Sequence, residues 1–98
     1  MSLQVVFRAA ARQEFEEAVS WYDQQCRGLG EEFLRQIDDV VRRAATHPKR
    51  YPIITKDVRR AVARRFPYSV FFRTRGRKLV VLAVFHARRD PMVWHKRA

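Results

Sequence analysis

Cysteine and glycine are scarce in this sequence. Of its 98 residues, one is cysteine, three are glycine and four are proline. A lone cysteine, Cys26, excludes an internal disulfide and a zinc site built on several cysteines. The chain also lacks a glycine-rich phosphate loop and a Ser-His-Asp spacing, and His47, His86 and His95 are too scattered to form a metal-ligand cluster. We therefore expect no metal and no cofactor.

Long apolar runs and a secretion signal are also missing. The longest apolar run, residues 79–85, is far shorter than the roughly 20 residues of a membrane helix. The N-terminus lacks the basic-then-apolar order of a signal peptide. With 47% hydrophobic and 32% charged residues, the composition is that of a globular protein and not of a disordered one. We expect one domain over residues 1–98, located in the cytoplasm.

Negative charge is nearly absent from the second half of the chain. Residues 1–41 carry four basic and eight acidic side chains, whereas residues 42–98 carry seventeen basic and two acidic ones. Like charges at this density repel one another, and the asymmetry indicates a polyanionic partner, either a nucleic acid or an acidic protein segment. A solvated basic face that only aids solubility is the alternative interpretation.

Apolar residues at helical spacing predict two helices in the first half of the chain. The first begins near Arg8 and the second spans about residues 30–45, with Gly28 as a left-handed cap between them. A linker this short makes the two helices an antiparallel hairpin. We expect the apolar stripes of both helices to be mostly buried. Their main members are Phe15, Tyr22, Phe33, Ile37 and Val40.

The remaining apolar segments indicate a sheet, and the predicted fold class is α+β. Strands are predicted at residues 3–7, 58–66, 68–74 and 79–85, with a loop at 49–57. The last three strands are joined by short turns, so they form an antiparallel meander, and the helix hairpin covers one face of the mainly antiparallel sheet. Asp90 and Pro91 then begin a short terminal helix with Trp94 on its inner side.

A functional site is expected where the last strand ends. Residues 79–85 are followed directly by His86, Arg88 and Arg89. A rigid core strand would thus present one imidazole and two guanidinium groups at an exposed strand end. A histidine that is merely bonded to the backbone is the alternative interpretation of His86.

The order of these elements resembles the RelE/ParE toxin superfamily of type II toxin–antitoxin modules, especially its ParE, or plasmid-stabilisation, branch. The matching stretches are FEEAVSWY with the following GxxFL, HPKRYP, RRFPYSVFFR and VLAVFHARRDPxxW. Together they cover nearly the whole chain. The resemblance implies a toxin neutralised by a cognate antitoxin encoded beside it. ParE-type members act on DNA gyrase without known covalent chemistry, whereas RelE-type members cut mRNA in the ribosome.

Under the ParE interpretation the basic groups bind macromolecules. The expected partners are an acidic, partly disordered ParD-like antitoxin, in a toxin–antitoxin hetero-oligomer, and DNA gyrase as the target. The residues expected to contact the target are Arg88, Arg89 and Trp94. The residues expected to contact the antitoxin are Arg60, Arg64, Arg65 and Arg73.

The RelE interpretation is the alternative. Cutting RNA through its 2′-OH requires a base, an acid, and cations to offset the phosphorane charge. The candidate groups are Arg64, Arg65, Arg73, His86, Arg89 and His95. The tyrosine of RelE-like nucleases falls here on Trp94 and His95, and residues 58–66 contain no lysine. His95 is also expected to lie in a frayed HKRA tail. A basic nucleic-acid-binding module ranks third, because neither predicted helix is basic enough for the major groove.

Overall fold

The computed structural model describes residues 2–98. Within that range the chain forms three α-helices, one 3-10 helix and five β-strands. In chain order they are β1 (Gln4–Phe7), α1 (Ala9–Gln25), α2 (Leu29–Thr46), the 3-10 helix (Pro48–Arg50), β2 (Ile53–Thr55), β3 (Val58–Val62), β4 (Tyr68–Arg75), β5 (Lys78–His86) and α3 (Met92–His95). None of the helices in residues 2–98 has the length and apolar character to cross a membrane.

The strands of this region form a mixed sheet in the order β1-β5-β4-β3-β2. The predicted meander is confirmed, since β3 pairs antiparallel with β4 and β4 pairs antiparallel with β5. β1 adds to the other edge of β5 in a parallel orientation. The turn between β4 and β5 contains Gly76 at φ 58, a conformation that glycine adopts without a steric penalty.

The loop predicted at residues 49–57 is wrong. This segment contains β2, which pairs antiparallel with β3 at Ile53↔Arg59 and Thr55↔Val58. Three residues are too few to show an alternating pattern, and Pro52 directly before them suggests a loop. Lys56, at φ 49, closes the hairpin between the two strands.

The third strand of the sheet is shorter than predicted. β3 ends at Val62 and not at residue 66. The chain turns there because the Ala63 N–H donates to the Tyr68 carbonyl at 2.9 Å, and the Tyr68 N–H donates to the Phe66 carbonyl at 2.7 Å. Phe66 is still buried, but it packs as a turn residue and not as a strand residue.

Both long helices pack on the same face of the sheet, as predicted. Phe33 and Ile37 are fully buried, while Phe15, Tyr22 and Val40 are half-buried at the margin of the core. The strand residues that meet the helices are Ala61, Val70, Phe72, Leu79, Val81 and Val84. The strong apolar stripe of α2 therefore forms the centre of the helical layer.

The two helices come closest at Gly30. A Cβ added there would lie 2.5 Å from the Val19 carbonyl oxygen and 2.8 Å from the Asp23 Cβ. The Asp23 carboxylate also accepts the N–H of Gly28 at 2.9 Å and that of Gly30 at 3.4 Å, which caps the start of α2. Gly28 has φ 91, which confirms the predicted left-handed residue between the helices.

The short helix α3 packs on the opposite face of the sheet. Trp94 is 2% exposed, and its ring stacks on Phe71 with 4.0 Å between centroids. Asp90 caps the turn by accepting the Met92 N–H at 3.0 Å. The predicted closing turn, with Trp94 on its inner side, is confirmed. The other buried members of this second core are Val58, Leu82, Ala83 and Phe85.

Replacing Phe33 by alanine should lower the free energy of unfolding by about 3–5 kcal/mol. The Phe33 ring is fully buried. It contacts the rings of Phe15, Tyr22, Phe66 and Tyr68. Urea unfolding followed by circular dichroism measures the loss. Leu34→Ala is the control, because Leu34 is 44% exposed. Equal losses in the two variants would contradict this packing.

Candidate functional site

A β-bulge shapes the end of β5. Phe71 lies opposite Ala83 and Phe72 lies opposite Val81, so Leu82 is an extra residue in β5. Leu82 and Ala83 consequently both pack on the α3 side of the sheet. A bulge bends its strand and redirects the residues that follow. Here those residues lead to the strand end at which the sequence predicts a site.

Side chains complete the outer edge of β5 beyond the bulge. β1 stops opposite Val81, so no strand lies beside the rest of that edge within residues 2–98. Glu14 of α1 accepts the Val84 N–H at 3.1 Å, and the Arg97 guanidinium donates to the Leu82 carbonyl at 3.0 Å. Without these two side chains, backbone groups at the bulge would lack partners.

The same Glu14 carboxylate holds two arginines. Arg97 binds it in a bidentate manner, with Nη1 3.0 Å from Oε1 and Nη2 2.9 Å from Oε2. Arg89 Nη1 lies 3.4 Å from Oε2. The Glu14 side chain is 11% exposed and that of Arg97 is 22% exposed, so the bidentate pair is partly shielded from solvent, whereas Arg89 is 47% exposed. The Arg89 guanidinium also stacks 4.1 Å from the centroid of the Phe85 ring, a cation–π contact that fixes its position.

The terminal residues are anchored, and the predicted frayed tail is wrong. Arg97 is bound by Glu14, 83 positions earlier in the chain. The Ala98 carbonyl accepts a bond from Arg73 Nη2 at 3.1 Å. The His95 ring lies against Trp94 with 4.1 Å between centroids. The local sequence HKRA contains no sign of these contacts, because the partners of the tail come from distant elements of the chain.

A cavity of about 220 Å³ opens at the end of β5 on the α3 side of the sheet. We call it the β5-end cavity. Its polar groups are Arg60, Ser69, His86 and Arg89, and its apolar wall is formed by Phe71, Phe85 and Trp94. Two guanidinium groups, a hydroxyl and an imidazole beside aromatic rings suit an anionic ligand. The cavity thus brings Arg60, predicted as an antitoxin contact, together with His86 and Arg89 of the predicted strand-end site.

His86 has a structural bond of its own. Its Nδ1 accepts the Arg88 N–H at 3.0 Å, so the neutral ring carries its proton on Nε2. The ring meets Tyr68 edge-on, with 5.2 Å between centroids. Burial raises the pKa of the Tyr68 phenol. His86 therefore forms the backbone bond of the alternative interpretation, and it also lines the β5-end cavity.

Arg73 lies inside the protein and not on its surface. It is 7% exposed, and its Nη2 lies 3.2 Å from Asp57 Oδ1. A hydrogen bond from Arg75 to the same carboxylate holds the pKa of Asp57 below its ordinary value. A buried guanidinium with two partners is not accessible to an antitoxin or an RNA phosphate. The structure therefore argues against both roles predicted for Arg73.

Burial also restricts Trp94. A side chain that is 2% exposed supports the β5-end cavity from within, so the structure argues against its direct contact with a target. Arg88, by contrast, is exposed in the turn after β5. Arg64 and Arg65 lie elsewhere: Arg65 pairs with Glu32 at 3.2 Å, and Arg64 lines a groove beside α2. The candidate nuclease groups are consequently spread over separate surfaces.

Sequence reasoning missed Glu14, Ser69 and Arg97. Glu14 is one of several acids on the polar side of α1, and Arg97 is one of seventeen basic residues in the second half of the chain. Neither residue carries a local signal, because each acquires its role only when α1, β5 and the tail meet. Among residues 2–98, no group of three His, Cys, Asp or Glu side chains could hold a metal ion.

Comparison with known proteins agrees with this architecture. A family model described as "ParE toxin of type II toxin-antitoxin system, parDE" matches residues 5–91. The chain belongs to this family. It is the toxin component of a type II toxin–antitoxin system, as the sequence resemblance implies. Residues 92–98, which include Arg97, lie beyond the matched range.

One solved structure, from the chromosomal ParDE toxin–antitoxin system of P. aeruginosa, is similar to this ParE-family chain. The TM-score is 0.71 at 18% sequence identity, over 87% of this chain and 96% of the other. At that identity the likeness shows a shared fold. A search of curated proteins found no match.

Removing the Arg97 guanidinium should loosen α3. In Arg97→Ala the Leu82 carbonyl loses a donor and Glu14 loses its bidentate partner. The free energy of unfolding should therefore fall by about 1–3 kcal/mol. Trp94 should also become more accessible to acrylamide. Its fluorescence can be isolated in a Trp21→Phe background, because the chain has two tryptophans.

Lys96→Ala in the same background is the matched control, since Lys96 is exposed and forms no ion pair within residues 2–98. Equal quenching of Trp94 in the Arg97 and Lys96 variants would show that Arg97 does not anchor the tail.

Proposed function

We propose that this toxin binds DNA gyrase through the surface around the β5-end cavity, and that an acidic antitoxin neutralises it. Its family supports the target, because ParE-type toxins act on gyrase. The observation that carries the surface assignment is the fixation of Arg89. Glu14 and the Phe85 ring hold this guanidinium at the cavity mouth before any partner arrives. A gyrase-directed toxin of this kind acts in the cytoplasm.

Preorganised cations favour binding by surface complementarity. A guanidinium that is already immobilised loses little rotamer freedom when a partner docks. Arg60 and Arg89 line the cavity, and Arg88 lies exposed in the adjacent turn. Their charges would complement carboxylates or phosphates on the target and accelerate association. The proposed mechanism therefore requires no proton transfer.

An acidic antitoxin is supported by the charge of the toxin. The whole chain carries a formal net charge of +11. Many of its cations are exposed and lack an acidic neighbour, including Arg60, Arg64 and Arg88. An acidic segment would relieve their mutual repulsion and order itself on the toxin surface.

An mRNA endonuclease is the second candidate function. The contents of the β5-end cavity favour it, because Arg60, Arg89 and Ser69 could hold a phosphate while Phe71 and Trp94 border the site. His86 Nε2 would then be the group available for proton transfer, since Nδ1 is occupied. The two candidate functions depend on this cavity in different ways, and mutation can separate them.

Replacing Arg88 and Arg89 together by alanine should weaken gyrase inhibition by about 10- to 100-fold, in keeping with the loss of two contact residues at an interface. The measurement is the toxin concentration that halves supercoiling by purified gyrase, with colony counts after induction as the cellular readout. Arg42→Ala with Arg43→Ala removes two consecutive arginines from α2 as the matched control. If both pairs had the same effect, the surface assignment would fail.

The histidine variants test the endonuclease. A nuclease that loses its acid or base should slow by about 10²–10⁴-fold, whereas a toxin that occupies a surface should tolerate His95→Ala within about twofold. Primer extension on ribosome-bound mRNA should show no cleavage by the purified toxin. Cleavage that disappears in His86→Ala or His95→Ala would identify the protein as a nuclease.

A further inference from the structure

A second cavity lies at the end of β5, on the helical side of the sheet. It has a volume of about 220 Å³, and we call it the α1 cavity. Residues of β4 and β5 form one of its walls. The other wall is a single face of α1, because its members lie three or four positions apart along the helix. They are Glu14, Glu17, Ala18 and Trp21.

The α1 cavity adjoins the β5-end cavity. His86 and Arg89 line both of them. The two cavities lie on opposite faces of the sheet, since Val84 packs on the helical side and Phe85 on the α3 side. A macromolecule that covers Arg89 would consequently contact both cavities.

Trp21 presents an aromatic surface that the fold itself does not cover. The residue is 55% exposed. Its ring meets Tyr22 edge-on, with 5.0 Å between centroids, and the rest of the indole faces outward. Among the aromatic side chains, tryptophan binds cations best on its ring face, and it is also enriched among the residues that dominate binding energy at interfaces.

The unpaired charge beside Trp21 is negative. Glu17 lies one turn earlier on the same face of α1, is exposed, and forms no ion pair within residues 2–98. Its carboxylate accepts a bond from the Gln13 amide at 2.9 Å. The other charged groups of the lining, Glu14 and Arg89, are already paired with each other. A free carboxylate one turn from an exposed indole can hold a cation by charge and by ring contact together.

We propose that the α1 cavity receives a basic side chain, arginine or lysine, of the target. This side chain lies on the Trp21 indole and pairs with Glu17, while Arg88 and Arg89 bind anionic groups beside it. The inference rests on the proposed function for the identity of the target. Opposite charges placed side by side fix the orientation of a partner, because a rotated partner would bring like charges together.

A cation suits the α1 cavity better than the other kinds of side chain. A carboxylate would be repelled by Glu17, and Arg89, the one guanidinium group of the lining, is shared with Glu14. An apolar side chain could contact Trp21, but it would take the Glu17 carboxylate out of water without providing a partner. A basic side chain satisfies both groups.

Removal of the Glu17 charge tests the sign of this contact. We compare wild type, Glu17→Gln and Glu16→Gln by the toxin concentration that halves supercoiling by purified gyrase, and by the dissociation rate from immobilised gyrase. Glu16 is the matched control, because it is exposed and lies outside the cavity. Both substitutions make the toxin more positive, so a target that is anionic throughout would bind each variant at least as tightly as the wild type.

We expect Glu17→Gln to require about 10-fold more toxin and to dissociate about 10-fold faster, since a contact and not long-range attraction is lost. Glu16→Gln should stay within about twofold of the wild type.

Truncation of Trp21 tests the aromatic part. Trp21→Ala should weaken inhibition by about 10-fold or more. Trp21→Phe, which retains a ring, should weaken it less. Leu34→Ala is the control, because Leu34 is 44% exposed and lies on α2 outside the cavity. Urea unfolding verifies that each variant is folded before it is compared.

The outcomes separate this inference from the proposed function. If the wild type neither binds nor inhibits gyrase, the proposed function fails. If it does both, the assignment of the α1 cavity is wrong when Glu17→Gln binds as tightly as Glu16→Gln, or when folded Trp21→Ala behaves like Leu34→Ala.

Discussion

The Glu14 carboxylate supplies a hydrogen-bond partner at the edge of β5 that β1 leaves uncovered. β1 pairs with β5 over four residues and stops opposite Val81, and α1 begins two residues later. The polypeptide therefore leaves the sheet just where the bulge exposes backbone groups of β5. Glu14, from the second turn of α1, accepts the Val84 N–H and holds Arg97, which in turn satisfies the Leu82 carbonyl. One acidic side chain thus joins the helical layer, the sheet and the C-terminal tail. The position of Arg89 at the mouth of the β5-end cavity depends on this junction.

Positive charge is spread widely over the surface of the toxin. The acidic residues of α1 and α2 neutralise arginines within their reach, as in the pairs Arg42–Asp38 and Arg65–Glu32. Exposed cations without an ion-pair partner within residues 2–98 include Arg60 and Arg88 beside the β5-end cavity, and also Arg27, Arg77 and Lys96 elsewhere on the surface.

Much of the fold could be predicted from periodicity and turn residues, and much of the site could not. Local sequence signals predicted three features that the structure contains. They are the apolar stripes of α1 and α2, the left-handed Gly28 between these helices, and the antiparallel meander. The errors share a physical origin. β2 is too short to show a period, and the tail is ordered by a pair 83 positions apart in the chain. Arg73 resembles any surface arginine in sequence, yet it is buried and bonded to Asp57 and to the Ala98 carbonyl. Each of these features is created by tertiary contacts, which override local propensity.

The placement of the titratable groups bears on how the toxin works. Enzymes that transfer protons tune the pKa of a group inside the reacting pocket. Here the groups whose pKa is shifted by their surroundings are Tyr22, Asp57 and Tyr68, and none of them lines the β5-end cavity. That cavity contains two guanidinium groups, which remain charged at any physiological pH, together with Ser69 and His86. The fold holds these groups in position. Arg89 contacts Glu14 and the Phe85 ring, and the buried Trp94 supports the cavity from below. Rigid, permanently charged groups of this kind suit the binding of an anionic surface.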